Sequence, residues 1–187
     1  MLWQELFKEI QCLKGVTFPR CLQPENVSGV SQLHVFADAS GHAYGAVAYL
    51  LWQTTEGPDV RLISAKARVA PIKQPTIPRL ELMAALIASR LANTIYDKFK
   101  IKPSFSRIVL HWLHSESSTL KAFVGVRVTE IQSTWQPSFW QFVPTDLNPA
   151  DDLSRELQWK IFTDAGRQVL TFSRNHQKTG QKIPIRL

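Results

Sequence analysis

The hydrophobic pattern divides the chain into alternating helix-like and strand-like stretches. Over residues 2–13, Leu2, Trp3, Leu6, Phe7, Ile10 and Leu13 share one face at helical spacing, and Gly15 ends that predicted helix. Phe18-Pro19-Arg20 begins an extended connector, and residues 22–32 are loop-like. Val35-Phe36-Ala37 then runs straight into Asp38, with the turn residues Ser40-Gly41-His42 next and a second β-rich run at 46–52. The stretch 33–52 is therefore a predicted hairpin with Asp38 beside its turn. Val60–Lys66 alternates as a third strand, antiparallel to the second. After Pro71 and Pro75, Pro78 opens the securest helix: Leu80, Met83, Ala84, Ile87, Leu91 and Ile95 recur at 3.6 spacing to about residue 99. Pro103 interrupts the chain, Arg107–Trp112 has strand character, and Leu120, Val124, Val128 and Ile131 mark a helix within 116–132. Trp140–Val143 is the last predicted strand, and Asn148-Pro149-Ala150-Asp151-Asp152 turns into a helix expected to run to about residue 170.

Three antiparallel strands followed by helix–strand alternation imply an α/β fold with a mixed sheet. Helical crossovers make the later strands parallel to the first. With 187 residues, 44% of them hydrophobic and six Trp, the chain builds a real core. The start carries no basic region followed by an apolar one, and no apolar run reaches the roughly 20 residues of a membrane helix. The expectation is a cytoplasmic or nuclear protein, neither secreted nor membrane-bound. Cys12 and Cys21 form neither a disulfide framework nor a metal-ligand spacing. The charge of +7 suggests affinity for phosphate backbones, but residues 155–187 carry +5 of it, leaving +2 for the rest. The excess is a basic tail, and such tails are more often solvated ends than binding sites.

Three acids occupy chemically telling places: Asp38 at a strand end, Glu81 early in the long helix, and Asp151 at the mouth of the last. Two have an ordinary explanation, Asp38 as a turn starter and Glu81 as a partner of the helix dipole. If the first and fourth strands are neighbours, however, all three converge at one rim. Clustered carboxylates repel, so they need divalent cations, and hard oxygen ligands select Mg²⁺ or Mn²⁺. Two such ions clamp the attacking and leaving oxygens of a phosphodiester.

The stretches "HVFADASGHAYGAVAYL", "LISAKARVAPIKQPTIPRLELMAA", "FVGVRVTEIQ" and "FVPTDLNPADDLSR", in that order, resemble the ribonuclease H-like domain of Bel/Pao retrotransposon polyproteins. The likeness spans roughly residues 3–155, including "WQELFKEI" and "FPRCL", and divides the chain into a lead-in at 1–32, the domain at 33–155 and a divergent basic helix and tail at 156–187. It implies a five-stranded mixed sheet with a metal-dependent site that cleaves RNA in an RNA–DNA hybrid. By that resemblance Asp38 matches the first-strand aspartate bridging two Mg²⁺ ions, Glu81 the helix glutamate, and Asp151, rather than the adjacent Asp152, the last aspartate. Ser40, Arg68, Lys73 and Arg79 are the candidate nucleic-acid contacts, of the phosphate type that positions a duplex without reading its sequence. The same likeness makes the chain a polyprotein fragment, without its reverse transcriptase and integrase.

One acid is missing. Members of the family carry a Trp-Thr-Asp-Ser type motif at the end of the fourth strand, followed by a helix. Here either Trp112-Leu113-His114-Ser115 replaces it, or the motif is deleted and "RIVL" joins "HWLHSES", which fits a segment short by roughly nine residues. His114 and Glu116 are poor substitutes, since neither has the strand-end placement and His is a weak magnesium ligand. The expectation is a ribonuclease H-like domain with impaired chemistry. The alternatives are an active Mg²⁺-dependent endoribonuclease and a non-catalytic nucleic-acid or protein binding module. An aspartic protease is a weak fourth reading, because Asp38-Ala39-Ser40-Gly41 is not Asp-Thr-Gly or Asp-Ser-Gly.

Overall fold

Residues 32–69 form three successive antiparallel strands in the computed structural model: β1 (Gln32–Ala39), β2 (Ala43–Thr54) and β3 (Gly57–Val69). The structure describes residues 7, 11, 19–73, 75–107, 110–144, 147–154, 158–164 and 167–173. Leu22–Arg155 form one compact unit, and Met1–Cys21 with Glu156–Leu187 form a second. In the first unit, α1 (Ile77–Phe99) crosses to β4 (Pro103–Arg107). A single turn, α2 (Leu110–Leu113), then leads to α3 (Ala122–Thr134), β5 (Trp140–Phe142) and the one-turn α4 (Asp151–Ser154). The five strands lie in the order β3-β2-β1-β4-β5. β1 is antiparallel to β2 and parallel to β4, and β4 is parallel to β5. This is the mixed sheet that the strand pattern implies. Among the described residues no helix is long and apolar enough to cross a membrane.

Alternation builds the core. Leu33, Val35 and Ala37 of β1 and Ala46, Ala48 and Leu50 of β2 are buried in one cluster with Leu82, Ala85 and Ala88 of α1. The run of alanines in α1 lets the helix backbone approach the sheet closely, so small side chains do the packing here. α1 opens with Pro78 in its first turn and closes at Lys100 in the left-handed conformation (φ 59°), whose N–H reaches the Tyr96 carbonyl at 2.8 Å. α3 is rich in weak helix formers. It holds because Val124, Val128 and Ile131 are buried, and Arg90 reaches Glu130 at 2.6 and 2.9 Å across from α1.

The fourth strand departs from the sequence pattern. It occupies Pro103–Arg107 rather than 107–112, and residues 110–113 are helical. Pro103 starts the strand instead of breaking the chain, a position where a missing N–H is tolerated. Phe105 decides the register: it is 1% exposed and stacks on Trp140 with centroids 4.1 Å apart and planes 10° from parallel. Trp135 tilts against the same ring at 5.7 Å, and its indole N–H donates to the Ser89 carbonyl at 3.2 Å.

The expected last helix is also corrected. Among the described residues of that stretch only Asp151–Ser154 are helical; β6 (Gln158–Asp164) and β7 (Arg167–Ser173) pair antiparallel within the second unit. Aromatic and β-branched residues such as Trp159, Ile161, Phe162, Val169 and Phe172 favour strands. Of the predicted helix at 2–13, Phe7 and Gln11 are helical and the rest lies outside the described residues, as do residues 174–187.

Gly45 sits directly across from Asp38 in the β1–β2 register. A Cβ there would lie 2.6 Å from the Lys66 carbonyl oxygen and 3.0 Å from the Ala67 Cα of β3. Both are backbone atoms of a paired strand, so neither can yield without disturbing the sheet. Gly45→Ala is expected to destabilise the fold by about 2 kcal/mol, measured as a lower denaturation midpoint at unchanged m-value.

Candidate metal centre at the β1 rim

Asp38 is the penultimate residue of β1 and is 4% exposed. Its Oδ2 accepts a hydrogen bond from Ser154 Oγ at 2.5 Å. Ser40, just past the strand, organises the turn: its hydroxyl oxygen accepts from the His42 and Ala43 amides at 3.1 and 3.2 Å. The Ser40 hydroxyl itself donates to the Ser154 carbonyl. One residue before Asp38, the Ala37 carbonyl accepts from Asn148 Nδ2 at 3.0 Å, while Asn148 Oδ1 accepts from the Ala150 amide at 3.2 Å. Asp151, 1% exposed, begins α4, and its carbonyl lies 3.1 Å from Ser154 Oγ. The α4 turn thus lies on the rim where Asp38 stands.

Glu81, half-buried, is in the second turn of α1. The pairing of β1 with β4 runs from Leu33↔Pro103 to Val35↔Phe105, three residues short of Asp38. Ile108 and Val109, which follow β4, lie outside the described residues. None of the residues of β4, Pro-Ser-Phe-Ser-Arg, is an acid. Trp112 and Leu113 belong to α2, and His114 and Glu116 are exposed beyond it. None of these stands at a strand end.

Among the described residues no group of three or more His, Cys, Asp or Glu side chains is disposed to hold a metal ion. Asp38 already commits an oxygen to Ser154, and β4 offers no carboxylate beside it. Of the candidate nucleic-acid contacts, Ser40 is engaged within its turn and with Ser154. Arg68 and Lys73 are exposed. Arg79 is half-buried, its guanidinium 5.2 Å from the centre of the Phe123 ring, which Arg127 also covers at 3.7 Å. Ser154 and Asn148 are site residues that sequence reasoning does not single out. Asn148-Pro149 is recognisable as turn chemistry, but nothing in the sequence marks Ser154 as a partner of Asp38.

The family model for the Pao retrotransposon-like RNaseH-like domain matches residues 1–113. The chain belongs to this family. The matched span holds β1 to β4, Asp38 and Glu81, and Asp151 lies beyond it. Among solved structures, the N-terminal RNase H domain of rv2228c from Mycobacterium tuberculosis, a fusion with maltose binding protein, is 13% identical with a TM-score of 0.43. That match covers 67% of this chain and 91% of the other. RNase H1 from the halophilic archaeon Halobacterium salinarum is 16% identical with a TM-score of 0.40, over 67% of this chain and 94% of the other. No curated protein matches.

On the strand that carries Asp38, burial holds the His34 imidazole below its ordinary pKa. Its Nε2 lies 3.2 Å from Gln32 Oε1, and its ring stacks on Phe36 with centroids 6.5 Å apart. The folded state thus favours neutral His34. Its contribution is complete above the ordinary histidine pKa of about 6.5 and is lost as pH falls through the depressed folded value. Urea midpoints are expected to drop as pH is lowered through that window, and His34→Gln is expected to flatten the drop.

Proposed function

We propose that this Pao-family domain is a ribonuclease H-like domain in which metal-dependent cleavage of RNA in RNA–DNA hybrids is severely reduced or lost. One observation carries the reading: β4 ends its pairing with β1 at Phe105 and supplies no acid beside Asp38. Mg²⁺ in such a site would polarise a phosphodiester and generate the attacking hydroxide. Asp38, Glu81 and Asp151 remain as the residues that an ancestral site of this kind would have used. An enzyme deprived of one anionic ligand loses transition-state stabilisation at about 1.4 kcal/mol for every tenfold drop in rate.

The exposed Arg68 and Lys73 support a retained capacity to hold a nucleic-acid backbone, hybrid or otherwise. They flank the end of β3 and the loop that precedes α1. Contacts of this kind give salt-dependent binding with little sequence preference.

The test is cleavage of an end-labelled RNA–DNA hybrid by the full chain in Mg²⁺ and in Mn²⁺. The expected rate is at least about 10³-fold below that of an intact ribonuclease H, equivalent to roughly 4 kcal/mol, and Asp38→Asn leaves it unchanged. Robust Mg²⁺-dependent cleavage that Asp38→Asn abolishes would overturn the proposal and restore the active-enzyme reading. In the same samples, hybrid binding is expected to weaken with salt. Arg68→Ala with Lys73→Ala is expected to reduce the salt slope by about 1 for each phosphate that is no longer neutralised.

A further inference from the structure

We propose that Asp38 serves as the anchor of a polar clasp that fastens residues 148–154 to β1, a structural role in place of metal ligation. The inference rests on the reading that Asp38 holds no metal pair. The clasp has three ties, each between groups more than a hundred residues apart in sequence. Ser154 Oγ donates to Asp38 Oδ2, Ser40 Oγ donates to the Ser154 carbonyl, and Asn148 Nδ2 donates to the Ala37 carbonyl. At 2.5 Å the bond to Asp38 is at the short end of the range for O–H···O hydrogen bonds.

Physical need points the same way. α4 is one turn long, too short to be stable alone, and cannot hold its place by helix propensity. Asp38 is buried, and a buried carboxylate is costly unless hydrogen bonds satisfy it. The two liabilities cancel: the carboxylate gains a donor and the turn gains an anchor. Ser154 is itself buried at 1% exposure, so water does not compete for the bond. Asn148, also buried, closes the near end of the segment by serving both strand and turn.

A double-mutant cycle on the full chain tests this. Ser154→Ala and Asp38→Ala are each expected to lower Tm by about 5 °C, the scale for losing one hydrogen bond to a charged group in a domain of this size. The double variant is expected to fall scarcely further than the worse single, because the two side chains act through one bond. Fully additive shifts would overturn the clasp. Where Asp38→Ala does not fold, amide exchange in the Ser154→Ala variant replaces the cycle. The Ala150 and Asp151 amides are then expected to exchange at least tenfold faster while core amides of α1 are unchanged, and unchanged exchange at Ala150 and Asp151 would overturn the clasp. A third arm compares MgCl₂ with KCl at matched ionic strength: equal Tm values support the clasp, and a saturable Mg²⁺-specific rise that vanishes in Asp38→Asn overturns it. Loss of coupling with hybrid cleavage still absent refutes the clasp alone. Coupling that persists beside robust cleavage unaffected by Asp38→Asn refutes the proposed loss of activity alone, and cleavage that Asp38→Asn abolishes refutes both.

Discussion

The parallel pairing of β1 with β4 is the constraint on which the rest of this site depends. Parallel strands are held at a register by what their side chains bury, and here Phe105 sets it by stacking flat on Trp140 under Trp135. Sliding β4 along β1 to bring a later residue beside Asp38 would pull that ring out of the aromatic cluster. A buried Phe contributes about 1.5–3 kcal/mol from burial alone, and stacking adds to it. The core thus fixes β4 where it is, and α2 begins at Leu110.

The consequence for chemistry is one of charge. A two-ion site works by crowding carboxylates that only cations make tolerable. β4 supplies no acid, and Asp38 accepts a hydrogen bond from the Ser154 hydroxyl. The β1–β2 hairpin, the glycine that lets β3 pass close behind Asp38, and the seating of α4 are all compatible with this quieter environment. The architecture of a ribonuclease H-like domain, a five-stranded mixed sheet, is present in this chain.

Much of the fold is legible in the sequence because periodicity reports burial directly. The β1–β2 hairpin, the long α1 with its apolar stripe and the mixed order of strands follow from residues such as Leu33, Val35, Leu80 and Ile87 facing one core. The fourth strand defies local propensity: "RIVLHW" is the stronger β-former than "PSFSR", yet tertiary packing of one ring, Phe105, outweighs it. In the C-terminal region the expected helix gives way to the β6–β7 pairing, whose aromatic and β-branched residues favour strands. At the site, the positions of Asp38 and Asp151 at strand end and helix mouth are readable from neighbouring turn residues. Their surroundings are not: the hydrogen bond from Ser154 joins groups 116 residues apart, and no local pattern encodes that contact.

The most direct test of the central claim is anomalous diffraction from crystals of the full chain grown or soaked with Mn²⁺. The expected result is no ordered anomalous peak within coordination distance, about 2.2 Å, of the Asp38 carboxylate, with Ser154 Oγ still bound to Oδ2. Two peaks about 4 Å apart bridged by Asp38, with Ser154 displaced, would contradict it.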